Sequence, residues 1–201
     1  MQFSKPALYI TLHSILVVGW IGFFAAFIRA RGKRVSDEKN KRQSGRSRLG
    51  IVLQGVAFFL AWSIQHWPSD NLLKLPDARW NYPLALVAGA LLAGSIWLAA
   101  SAVRTLGKQW SLTARLLEGH ELVMSGPYRR VRHPIYTALL GMLIATLLIH
   151  SHWFALPVTI SIFLFGTWIR VSEEDRLLAQ QFGAVFDAYR DQVPALLPRL
   201  W

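Results

Sequence analysis

Four long apolar stretches, residues 7–28, 49–67, 83–103 and 134–171, restrict what this chain can fold into more than any other feature of it. A bilayer's hydrocarbon core of about 30 Å is crossed by about 20 helical residues, and the first three stretches match that length. The fourth is too long for one crossing and is interrupted by His150, Ser151 and His152. It reads as two helices near 135–149 and 153–169 joined by a very tight turn. The first of these has only about 15 residues, which fits a short, tilted or partly re-entrant helix. The expected fold is therefore all-α: a polytopic membrane helix bundle of about five spans, with four as the fallback count. Apolar residues make up 53% of the 201, more than a soluble domain carries. The first stretch is too long for a signal-peptide core, and its positive charge follows it instead of preceding it, so it reads as a retained anchor.

A net charge of +11 would suggest nucleic acid in a soluble protein, but its distribution points to the membrane. Lys and Arg crowd residues 29–48 and recur as Arg104, Lys108, Arg115, Arg129, Arg130 and Arg132 ahead of the fourth stretch. The loop over 68–82 is nearly balanced, and the turn at 150–152 has no Lys or Arg. Positive loops alternate with weakly charged ones, which predicts an external N-terminus and a cytoplasmic C-terminus. Residues 29–48 contain no aromatic side chain on which a base could stack, so they read as a topology signal in contact with anionic lipid, not as a nucleic-acid site. No obligate protein partner is evident. The chain has no cysteine, which excludes disulfides, thiolate metal ligation and covalent cysteine catalysis.

The pattern divides the chain at about residue 103: membrane helices with the basic loop before it, and the chemistry-bearing region, 104–201, after it. Beyond Arg170, Leu177, Leu178, Phe182, Val185, Phe186 and Tyr189 recur at helical spacing among charges. This predicts an amphipathic cytoplasmic helix, weakened at Gly183 and ended by Pro194 and Pro198. Most tryptophans fall near the ends of the apolar stretches, where indoles favour the interface.

Two polar clusters are expected on the same membrane side. One spans residues 120–136 (HELVMSGPYRRVRHPIY); the other is Arg170 with Glu173, Glu174 and Asp175. Glu173 and Glu174 follow Arg170 by three and four residues and can share its helix face. Because the last two helices form a tight hairpin, His133 and Tyr136 should approach Arg170 and Glu174. Gly126-Pro127 is a turn signal. Pro134 suits a helix's first turn, whose N–H groups lack intrahelical partners, and the positive end of that helix would favour a carboxylate beside His133. Singly, each residue has a plainer role as a topology marker, interfacial aromatic or surface ion pair.

In combination they resemble a known family. The run G-P-Y-x-x-x-R-H-P-x-Y (126–136), then a hydrophobic hairpin, then R-x-x-E-E (170–174) and F-G through V-P-x-x-x-P (182–198) is similar to the isoprenylcysteine carboxyl methyltransferase and phospholipid methyltransferase family. The resemblance covers roughly residues 104–198. It implies a membrane-embedded transferase that uses S-adenosylmethionine from the cytosol and takes a lipophilic methyl acceptor from the bilayer. Carried over by position, the cofactor would be held by His120, Glu121, Leu122, Val123, Tyr128, His133, Pro134, Ile135, Tyr136 and Glu174, and Arg170 would face the acceptor. A carboxylate acceptor needs no base and suits clamping by Arg170. An amine acceptor must lose a proton, for which Glu173 and Glu174 are the candidates. Membrane lipid and sterol reductases share part of the C-terminal pattern but bind a nicotinamide cofactor. A non-enzymatic basic membrane anchor would need none of these side chains.

Overall fold

The computed structural model describes residues 5–31, 45–64, 78–107 and 121–198. Six α-helices organise them: α1 (Lys5–Arg31), α2 (Gly45–Ser63), α3 (Asn81–Leu106), α4 (Pro134–His150), α5 (Ala155–Phe182) and α6 (Ala184–Gln192). Three are long and apolar enough to cross a membrane: α1 through Tyr9–Ile28, α3, and α5. The protein is built to sit in a bilayer, and its surface agrees, since Val18, Phe59, Leu86, Trp97, Phe165 and Trp168 all lie exposed as no soluble domain would leave them. α2 has 19 residues and begins Gly-Arg-Ser-Arg, which shortens its apolar part.

α4, at 17 residues, is about 25 Å long, short of the hydrocarbon thickness. It is also apolar on every side, and the reason is its position. α4 touches α1, α2, α3 and α5, and ten of its last thirteen residues are buried. A helix that is hydrophobic all round belongs in an interior; here the interior is the bundle's own.

The 134–171 stretch does form a hairpin. Ser151 Oγ donates to the Ala61 carbonyl at 2.5 Å and the His152 N–H to the Ile64 carbonyl at 3.2 Å, so the polar turn is tied to the end of α2. Thr146 accepts from Trp20 Nε1 at 3.2 Å, and His13 Nε2 meets His150 Nδ1 at 3.0 Å, linking α1 to α4 through polar contacts of the kind that hold helices together in membranes.

The structure departs from expectation at α5. The helix does not stop near residue 169 with a separate amphipathic helix following; it runs unbroken for 28 residues to Phe182, about 42 Å. Most of residues 170–182 are good helix formers, and no Gly or Pro interrupts them until Gly183, whose φ of 52° is costly for other residues. α6 then buries Phe186 and Tyr189.

Helix crossings bring the polar residues together. α2 packs chiefly against α5, and α3 against α4. At the first crossing two glycines meet. A Cβ on Gly50 would stand 2.5 Å from Arg170 Cγ and 2.6 Å from the Gly166 carbonyl oxygen, and one on Gly166 would stand 2.8 Å from the Gly50 carbonyl oxygen. Small residues permit such backbone approach in membranes, where helices are held by close packing and polar contacts.

Candidate functional site

The site is built where the 121–133 loop becomes α4. Residues 121–124 have no regular structure, and Gly126 takes a φ of 59°. A Cβ there would also lie 2.8 Å from Thr105 Oγ1, so the position favours glycine twice over. A short 3₁₀ turn, Gly126–Arg129, follows and buries Pro127 and Tyr128. Pro134 is the first residue of α4.

The segment after α6 straps this loop down. The backbone N–H groups of Arg132 and His133 donate to the carbonyls of Pro194 and Ala195, each at 2.9 Å. The Arg132 guanidinium donates to the carbonyls of Arg190, at 3.0 Å, and Val193, while Thr137 Oγ1 donates to the Leu196 carbonyl at 2.6 Å. The proline-bounded tail thus satisfies backbone groups that a loop entering a membrane would leave unpaired. The two loop amides nearest the start of α4 are used within the protein. Positive charge in the site comes instead from side chains.

His133 is the centre of that charge. It is buried, with Nδ1 3.3 Å from Glu174 Oε2 and Nε2 2.9 Å from Asp175 Oδ1. Two ionised carboxylates can only accept, and a neutral imidazole has one N–H, so the geometry suits the imidazolium. Burial works against that charge, but the hydrogen bonds to Asp175 and Glu174 outweigh it and hold the His133 pKa above its ordinary value of 6.5. Asp175 is held in turn by Arg132 Nη2 at 2.8 Å. Glu174 accepts from the Tyr136 hydroxyl and lies 3.7 Å from Arg170 Nη2. The Arg170 guanidinium carbon stands 4.9 Å from the centre of the Tyr136 ring, within cation–π range. Among the described residues, Arg132, His133 and Arg170 therefore confront two carboxylates, Glu174 and Asp175, and with His133 as the imidazolium these five groups carry one positive charge in excess. An open groove lined by Ser172, Asp175, Arg176, Ala179, Gln180 and Arg190 runs beside it.

A pH dependence follows. A raised folded-state pKa means that the imidazolium's contribution is complete below its ordinary value and disappears as pH rises through the raised one. The thermal midpoint of the detergent-solubilised protein is expected to fall from neutral into alkaline pH, and Asp175→Asn, which removes an anionic partner, should flatten that slope. An unchanged slope would show that His133 is not held as the cation.

The expected convergence of His133 and Tyr136 with Arg170 and Glu174 is thus present, across α4 and α5. Pro134 is buried beside them and Ile135 is half-buried. Tyr128 is buried; its phenol pKa is pushed well up by burial and then by the nearby charges of Glu174 and Tyr189, and its carbonyl accepts from Tyr189 Oη at 2.6 Å. Glu121 is exposed, while Leu122 and Val123 are half-buried. His120 lies outside the described residues. Glu173 is turned elsewhere: it is buried against α2, with Arg46 at 3.7 Å and Arg176 at 3.1 Å. Two participants are given no individual role by the sequence pattern, although Asp175 belongs to its second polar cluster. Asp175 follows the R-x-x-E-E run, whose pattern gives it no role. Gln54 of α2, buried with its Oε1 3.3 Å from Arg170 Nη1, is one neutral amide in an apolar stretch.

Apolar membrane helices closing at one end on a buried, ion-paired cluster define an integral membrane protein with a polar site at the end of its last hairpin. The class becomes specific in the sequence match: the family described as phospholipid methyltransferase matches residues 84–185, half of the chain and all of α4, and this chain belongs to that family of membrane methyltransferases. It is also similar to the cobalt-zinc-cadmium resistance protein CzcN of Cupriavidus metallidurans, at 30% identity over 160 residues that cover 77% of this chain and 65% of that protein's length.

Proposed function

We propose that the protein is an integral membrane methyltransferase that uses S-adenosylmethionine and methylates a lipophilic acceptor drawn from the bilayer. The observation that carries this reading is the cluster of His133, Tyr136, Arg170 and Glu174, joined across the α4–α5 hairpin inside the region the family match covers.

The chemistry of the donor set fits the cofactor. S-adenosylmethionine carries an ammonium, a carboxylate, ribose hydroxyls and a sulfonium. Glu174, whose side chain is 23% exposed while His133 is buried, presents a carboxylate to an ammonium or to ribose hydroxyls. The excess positive charge suits a carboxylate. Tyr128 and Tyr136 offer ring faces for flat or cationic parts, Leu122 and Val123 apolar walls for adenine, and His120, Glu121, Pro134 and Ile135 complete the cofactor side. When bound, the cofactor supplies an electrophilic methyl group on a sulfonium. The residues around it align the reactants and exclude water. Arg170 meets the acceptor. For a carboxylate acceptor it acts as a clamp; for an amine acceptor, Glu174 takes the proton the nitrogen must lose, since Glu173 is engaged by Arg46 and Arg176.

In this reading all five long helices cross or enter the membrane, with the N-terminus outside and the site on the cytoplasmic side. The far half of α5 and the amphipathic α6 cover the mouth of the bundle. Residues 104–201 form the catalytic region on a scaffold of residues 1–103. Purified protein should bind S-adenosylmethionine saturably and NADPH not at all, and should move label from the radiolabelled cofactor into the lipid fraction of host membranes. Binding of NADPH alone would replace this reading with a reductase; binding of neither would leave a non-enzymatic anchor.

A further inference from the structure

We propose that Gln54 is a positioning residue that sets the orientation of Arg170, so that α2, outside the family-matched region of residues 84–185, completes the acceptor side of the site. The link to the acceptor rests on the reading of Arg170 given above.

Gln54 lies buried in the face of α2 turned towards α5. A primary amide among apolar neighbours is costly unless both of its ends are bonded, and here both are. Its Nε2 donates to Thr167 Oγ1 at 2.8 Å, and its Oε1 accepts from Arg170 Nη1 at 3.3 Å. Arginine can only donate, so the oxygen must face the guanidinium and the nitrogen Thr167. Three helices then grip one side chain. α2 supplies the amide, α4 the ring of Tyr136 at 4.9 Å, and α5 the Glu174 carboxylate at 3.7 Å. α2 also confines the aliphatic stem, because the space a Cβ would occupy at Gly50 holds Arg170 Cγ.

The consequence concerns the pull of Glu174. Beside the amide, the guanidinium faces that carboxylate, only one helical turn away. Turned fully onto it, Arg170 would spend on an internal ion pair the N–H groups that an acceptor needs. Gln54 holds one nitrogen back from that pairing. A neutral amide does this without cancelling the charge, as a carboxylate at position 54 would. Thr167 anchors Gln54 in turn, so its influence on the acceptor runs through two hydrogen bonds.

The test uses the full-length protein in nanodiscs, with Gln54→Leu, similar in volume and suited to an apolar helix, and the near-isosteric Thr167→Val. Two acceptor probes are supplied: N-acetyl-S-farnesylcysteine for a carboxylate and phosphatidylethanolamine for an amine. With whichever probe the wild type methylates, Gln54→Leu should raise KM about tenfold or more while leaving the S-adenosylmethionine Kd within about twofold, the loss expected for one hydrogen bond to a charged group. Thr167→Val should move KM the same way by less. Independently of activity, the ¹⁵N guanidinium resonances of Arg170, assigned by their loss in Arg170→Lys, should be resolved in the wild type and merge in Gln54→Leu as the group begins to rotate. Resolved resonances in Gln54→Leu, or a KM equal to that of the wild type, would overturn the proposal. A wild type that binds no S-adenosylmethionine would sink the methyltransferase reading instead, and the resonances would still decide whether Gln54 orients Arg170.

Discussion

Glu174→Ala is expected to abolish methyl transfer, lowering kcat/KM by at least about 100-fold, with a comparable weakening of S-adenosylmethionine binding. The magnitude comes from what the carboxylate leaves behind. It accepts from Tyr136, pairs with His133 Nδ1 at 3.3 Å and faces Arg170 at 3.7 Å. Removing one partner of a buried charge pair costs about 3–5 kcal/mol, because the remaining charge is still desolvated. Here two cations lose a shared counterion, the excess positive charge doubles, and the Tyr136 hydroxyl loses its acceptor. Glu174→Gln separates these losses. The amide can still accept from Tyr136 and fills the same volume, but it carries no charge to hold the imidazolium or attract an ammonium. Its binding loss should be smaller than that of Glu174→Ala and should depend more weakly on ionic strength than wild-type binding. Titration calorimetry on the detergent-solubilised variants reads both. Wild-type affinity in Glu174→Gln would remove this residue from the cofactor site.

The contacts legible in the sequence are those that local chemistry dictates. The interrupted apolar run over 134–171 requires a hairpin, and a hairpin this tight brings its two open ends together. The order of residues alone therefore pairs His133 with Glu174, and they lie in hydrogen-bond range. The turn at Gly126-Pro127 and the start of α4 at Pro134 are equally plain, since proline and glycine narrow backbone choices at single positions. What stays hidden depends on register between helices distant in the chain. Nothing near Gln54 says that it will face Arg170, 116 residues away, because the rotation of α2 about its axis is set by the fit of Gly50 against Gly166 and Arg170 of α5. The bonding of residues 194–196 to the start of α4 is invisible for the same reason: backbone-to-backbone bonds carry no side-chain signature. The unbroken α5 shows the opposite error. The change from apolar to charged residues at Arg170 marks where its surroundings change, while the helix itself continues as far as its backbone allows.

The glycine crossing makes the strongest demand on a single atom. Gly50→Ala is expected to lower the thermal midpoint by about 2–12 °C, from about 1–3 kcal/mol of overpacking at about 2–4 °C per kcal/mol for a chain of this size. The added methyl would stand 2.5 Å from Arg170 Cγ and 2.6 Å from the Gly166 carbonyl oxygen. The arginine stem can yield, but the carbonyl is backbone, so α2 must move away from α5. Gly55→Ala is the control. It lies further along the same helix, a Cβ there meets nothing within 4 Å, and replacing a mid-helix glycine should stabilise by up to about 1 kcal/mol. The two substitutions add the same methyl to the same helix and should shift the midpoint in opposite directions in one detergent. Equal shifts would show that α2 does not meet α5 at Gly50. The separation also carries Gln54 away from both Thr167 and Arg170, so acceptor KM should rise in Gly50→Ala even at temperatures where it is fully folded. In Gly55→Ala it should not move, because the polar bonds across the crossing survive only while the two backbones touch.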